Sequence, residues 1–110
     1  MTYKEVKAMI AGLGLPYAYN EFAQKTEQSP PFICFLFTDG SNDLMADNKN
    51  YCKVRPLTIE LYTDYKDFAR EETIETALTN AGLAFQRSEA YITSEHMYQI
   101  TYNTEVLING

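Results

Sequence analysis

The stretch Tyr98-Gln99-Ile100-Thr101-Tyr102-Asn103-Thr104-Glu105-Val106-Leu107-Ile108 decides how the chain is read. Successive side chains of an extended strand point to opposite faces. Tyr98, Ile100, Tyr102, Val106 and Ile108 fall on one face, and Gln99, Thr101, Asn103 and Glu105 on the other. The segment is therefore a long strand with one face on a core and the other solvated or against a partner. The same period of two recurs within a strand read from Tyr51 to Tyr62: Leu57, Ile59 and Leu61 on one side, Thr58, Glu60 and Tyr62 on the other. Pro56 lacks an amide proton, which places that part of the strand at a sheet edge or a bulge. Phe32-Ile33-Cys34-Phe35-Leu36-Phe37 is continuously apolar and reads as a strand covered on both faces. Tyr17 to Phe22 alternates aromatic with small or polar residues, as a short strand or an extended connector. Leu83 to Ile92 is a further strand.

Two helices complete the pattern. Thr2-Tyr3-Lys4-Glu5 has the spacing of a capping box, and Val6, Met9, Ile10 and Leu13 then mark one apolar face. Gly12, Gly14 and Pro16 end that helix. Asp64 is placed to cap a second helix with buried stripe Phe68, Ile74, Ala77, Leu78 and Ala81, and Gly82 closes it. Its acidic run, Glu71, Glu72 and Glu75, reads as a solvated face. The order is helix, two or three strands, helix, two strands. Strand and helix do not alternate throughout, which disfavours a doubly wound parallel sheet. The expected fold is α+β: residues 1–110 as a single domain, a mostly antiparallel sheet with two helices on one face.

Composition bounds the function. At 110 residues and 45% hydrophobic, the chain is long enough for one unstapled core and too apolar for a disordered tail. No apolar run approaches the ~20 residues that cross a bilayer, and the opening residues lack a signal-peptide pattern. These lead to the expectation of a cytoplasmic chain. A net charge of -6 with scattered basic residues argues against nucleic-acid and anionic-membrane binding.

Catalytic chemistry has little to build on. His96 lies in a turn without an orienting partner. Cys34 and Cys52 read as reduced thiols on strands, with a disulfide between neighbouring strands as the alternative, and no activating base stands near either. Two cysteines and one histidine do not make a zinc site. Gly12-Leu13-Gly14 follows a helix instead of opening one, so it is not a phosphate loop. Asp39, Asn42, Asp43, Asp47 and Asn48 do not match a calcium loop, and a solvated hairpin tip is the plainer reading. The expectation is a non-enzyme with no cofactor and no metal.

Nine tyrosines suit either sheet packing or protein contacts, since tyrosine joins a large apolar body to a polar tip. The long polar stretch 39–50 carries one apolar island, Leu44-Met45-Ala46, with Tyr51 beyond it. Leu44, Met45, Tyr51 and Tyr62 are the candidate protein-interface residues.

Several segments together resemble a known family. They are Leu57 to Asp64 running into Lys66-Asp67, then Glu71, Ile74-Glu75, Ser88-Glu89, Tyr91-Ile92, Ser94-Glu95 and the closing strand from Tyr98 to Val106. With the short opening helix, the chain resembles the small tail-completion or tail-terminator (head-tail joining) proteins of long-tailed bacteriophages and prophages of Gram-positive bacteria. The resemblance covers nearly the whole chain in element order. It implies a virion structural protein: a subunit of a ring, a hexamer, that ends the tail tube and joins it to the head. It further implies self-association, tail-tube and head-connector proteins as partners, and a path from host cytoplasm during assembly to the virion tail or neck. It carries over no catalytic residues. The alternative is a non-enzymatic adaptor or inhibitor domain that binds other proteins.

Overall fold

The computed structural model describes residues 1–20, 29–38 and 53–109. Along the chain these form α1 (Tyr3–Ala11), β1 (Tyr17–Tyr19), β2 (Phe32–Phe37), β3 (Lys53–Thr63), α2 (Phe68–Asn80), β4 (Phe85–Ile92), a short 3₁₀ turn (Thr93–Glu95) and β5 (Met97–Ile108). The strands make one sheet in the order β1-β2-β3-β5-β4, antiparallel except for the parallel β1–β2 pair. The fold is the α+β arrangement that the sequence implies.

Period two sets the sheet's faces. Leu57, Ile59 and Leu61 of β3 and Ile100, Tyr102 and Val106 of β5 lie on one side and are fully buried. Val6 and Ile10 of α1 and Ile74 and Leu78 of α2 join them in one core, so both helices cover the same face. Each fully buried aliphatic side chain contributes roughly 1.5–3 kcal/mol of transfer free energy. The continuous apolar run of β2 is buried on both faces from Phe32 to Phe35, as its lack of alternation implies.

Local chemistry explains the helix limits. Thr2 accepts from the Glu5 N–H at 3.1 Å while the Glu5 carboxylate accepts from the Thr2 N–H at 2.8 Å, closing the capping box. The second helix starts later than Asp64. Its cap is Asp67, whose carboxylate accepts from the Arg70 N–H at 3.1 Å. At its end Gly82 takes φ +76°, and the Leu83 N–H reaches the Leu78 carbonyl at 2.9 Å, a left-handed closure that glycine adopts without steric cost.

Three further expectations are corrected. Pro56 sits in a central strand, without a bulge: β3 pairs with β5 in unbroken register from Lys53↔Ile108 to Thr63↔Tyr98. The proline is tolerated because its other side meets only the last rung with the end of β2. There the Thr38 N–H donates to the Pro56 carbonyl at 3.0 Å, and the reciprocal bond is the one that proline forgoes. Phe68 is 71% exposed. At 100° per residue it lies about 90° from the mean direction of Glu71, Ile74 and Leu78, and the Lys66 ammonium sits 4.8 Å from its ring centroid. Glu71, read as solvated, is buried. Lys66 Nζ donates to it at 2.6 Å and Arg87 Nη2 at 2.5 Å. Arg87 also donates to Glu89 at 2.8 Å, and the buried Tyr102 hydroxyl donates to Glu75 at 2.8 Å. This network ties α2 to β4.

Candidate interaction surface

The side of the sheet opposite the helices carries Thr58, Glu60 and Tyr62 from β3 beside Gln99, Thr101 and Asn103 from β5. Their side chains bond to one another. Thr58 Oγ1 donates to Asn103 Oδ1 at 2.8 Å. The Tyr62 hydroxyl donates to Glu60 Oε1 at 3.0 Å, and Gln99 Nε2 donates to both Glu60 Oε2 (3.2 Å) and the Tyr62 hydroxyl (3.0 Å). Phe32 stacks on Tyr62 with ring centroids 4.8 Å apart. Burial raises the Tyr62 phenol well above its ordinary range, and the neighbouring Glu60 carboxylate adds to the shift. Tyr62 is therefore a neutral, hydrogen-bonded aromatic on a polar surface. Groups whose hydrogen bonds are already satisfied by one another cost little to cover with another protein.

Of the interface residues chosen from the sequence, Tyr62 stands here. Leu44, Met45 and Tyr51, like Cys52 and the stretch 39–50, lie outside the described residues. Cys34 is buried on β2, on the same side as Glu60 and Tyr62. His96 is exposed in the left-handed region (φ 53°) where the 3₁₀ turn meets β5.

A second surface was not anticipated. Between α1 and the β1 end of the sheet runs an open cleft of about 650 Å³ lined by Tyr3, Lys7, Tyr17, Tyr19, Phe35, Phe37 and Arg55, with Ala18 at its margin. Tyr3 meets Phe37 edge-to-face at 5.0 Å, and Tyr19 meets Phe35 likewise at 5.3 Å. The Phe37 N–H donates to the Tyr19 hydroxyl at 3.1 Å, extending the edge past the last residue of β1. The legible signals were the aromatic alternation at Tyr17 and Tyr19 and a cation, Arg55, at a core-facing position of β3.

No family model and no curated protein matches this chain. Among solved structures it is similar to a chain from the virion of a native gene transfer agent (GTA) particle, with a TM-score of 0.55 and 17% sequence identity. The alignment covers 98% of this chain and 91% of that one. At that identity the likeness is one of fold, and it runs end to end.

Proposed function

We propose that this protein is a structural subunit of a phage-type virion, and more specifically of a ring in the tail or neck that ends the tail tube and joins it to the head. The observation that carries the proposal is the end-to-end likeness of fold to a chain of a phage-like particle. The sequence resemblance to tail-completion proteins, reached from different features, supports the same role. On this reading the chain is not an enzyme. It assembles with copies of itself and with tail-tube and head-connector proteins, first in the host cytoplasm and then in the virion.

The face opposite the helices supports a role in contacts, because over β3 and β5 no described helix covers it and its hydrogen-bonded side chains form a rigid surface. Tyr62 contributes its ring there, and Leu44, Met45 and Tyr51 supply apolar anchors from elsewhere in the chain. Closed rings bury two different patches of each subunit against its neighbours. Six copies of a 12.6 kDa chain give about 76 kDa.

The test is multi-angle light scattering across a concentration series, combined with electron microscopy of the largest species. A closed ring of about six copies is expected, and the paired change Leu44→Ser with Met45→Ser should abolish it while the monomer stays folded. A strict monomer at millimolar concentration, with or without tube protein, refutes the ring. A double variant that melts several degrees lower yet assembles normally returns Leu44 and Met45 to the core.

A further inference from the structure

The cleft beside β1 joins three properties that no single structural need explains. Its wall is aromatic, from Tyr3, Tyr17, Tyr19, Phe35 and Phe37, and Tyr3 and Tyr19 remain about half exposed. Among the described residues its charged lining is cationic, Lys7 from α1 and Arg55 from β3, in a chain of net charge -6. Neither cation pairs with a carboxylate among the described residues, and Arg55 Nε is shielded from water without an acceptor. The third property is backbone. The Ile33 N–H donates to the Pro16 carbonyl at 2.9 Å, and the Asn20 N–H to the Phe35 carbonyl at 2.6 Å. Even-numbered residues of this segment therefore turn their peptide groups toward β2. Tyr17 and Tyr19 turn theirs outward, at a sheet edge to which no other described strand pairs.

We propose that this cleft is a docking site for an extended acidic segment of another protein, which adds as a strand along β1. Its backbone bonds to the outward peptide groups of Tyr17 and Tyr19, an apolar side chain lies on the aromatic wall, and a carboxylate meets Arg55 and Lys7. Strand addition of this kind draws affinity from main-chain bonds and specificity from pockets for alternate side chains. The charge selects the occupant: two cations with no carboxylate partner among the described residues, beside an aromatic wall, fit an acidic peptide. A duplex would meet the chain's overall negative field with only two neutralising groups. The site does not rest on the ring reading, since a single subunit contains all of it.

The test uses the full chain at a concentration where it is monomeric, labelled with ¹⁵N. The probe is the acetylated hexapeptide Asp-Leu-Asp-Phe-Asp-Leu, compared with its counterpart bearing lysine at the three aspartates. The expected result is saturable movement of the Tyr17 to Asn20 amide signals with the acidic peptide. Arg55→Gln, whose fold is checked by circular dichroism, should weaken binding at least tenfold, and the lysine peptide should give no saturation. Tyr19→Ala serves as the second variant and should weaken binding to a similar degree. No saturation up to millimolar acidic peptide overturns the proposal. So do equal affinity for the lysine peptide, unchanged affinity in Arg55→Gln, or the same signals moving when the protein alone is concentrated, which would make a second copy the occupant. Ring assembly is scored separately by scattering, so either idea can fail alone.

Discussion

Glu71→Ala isolates the network that fixes α2 to the sheet. The Glu71 side chain is 5% exposed and its carboxylate holds two cations, Lys66 at 2.6 Å and Arg87 at 2.5 Å. Removing one member of a buried ion pair usually costs about 3–5 kcal/mol, because the partner charge is left without compensation. Here the cations keep part of their hydration, with side-chain exposures of 23% and 33%. Arg87 also retains Glu89 at 2.8 Å and Glu75 at 3.6 Å. The cost should therefore be about 2–3 kcal/mol, less a few tenths for the better helix propensity of alanine. In a domain of this length each kcal/mol lowers Tm by roughly 4 °C, which gives a drop of about 8–12 °C. Urea melts followed by circular dichroism at neutral pH measure it directly. Glu72→Ala, on the exposed side of the same helix, serves as the control and should stay within about 0.5 kcal/mol. In a double-mutant cycle Arg87→Met should cost less in the Glu71→Ala background than in the wild type, by about 1–2 kcal/mol. A Glu71→Ala variant as stable as Glu72→Ala, or a cycle with no coupling, would show that α2 is held by Ile74 and Leu78 alone.

Glu89 is held below the ordinary carboxylate range, first by its hydrogen bond from Lys66 and then by that from Arg87. The folded chain gives up this proton more readily than the unfolded one. The resulting stability is full above the unfolded value of about 4.3 and is lost as pH falls through the lower folded value. The Tm gap between wild type and Glu89→Gln should be present at pH 6 and close on acidification, and a gap that widens toward low pH contradicts it. Thr2→Ala removes the acceptor for the Glu5 N–H and should cost about 1 kcal/mol, read by thermal melting. Gly82→Ala forces a Cβ into φ +76° with open space around it, so its cost of about 1 kcal/mol is conformational alone, and a neutral result refutes the left-handed requirement.

The faces of β3 and β5 were legible because Leu57, Ile59, Leu61, Ile100 and Tyr102 follow a strict period that burial enforces. Both helices announced their ends through local chemistry, Thr2 with Glu5 at one start and Gly82 at one stop. What was illegible depended on partners distant in sequence. Asp64 and Asp67 are equal as capping residues, and only the path of the chain after β3 decides between them. A proline in a central strand becomes acceptable once its neighbour β2 is seen to end at that rung. Glu71 can be buried because Arg87, sixteen residues on, and Lys66 converge on it, and no helical periodicity encodes that meeting. The cleft was missed for the same reason. Tyr3, Tyr19 and Arg55 come from three different elements, and only the sheet order brings them together.

That sheet order also makes the two edges chemically unequal. Charged side chains engaged at an edge discourage the addition of a further strand. On β4, Arg87 and Glu89 alternate on the helix-side face and are drawn back toward α2 by Glu71 and Lys66. A strand adding there would have to pack beside that network. On β1 the corresponding side chains are Tyr17 and Tyr19, aromatic and partly exposed, with the nearby cations Lys7 and Arg55 lacking carboxylate partners among the described residues. Among the described residues, then, one edge is guarded by engaged charges and the other presents aromatic side chains. On the docking proposal the β1 edge accepts an acidic segment of another protein, and the engaged charges of β4 keep the opposite edge from competing for it.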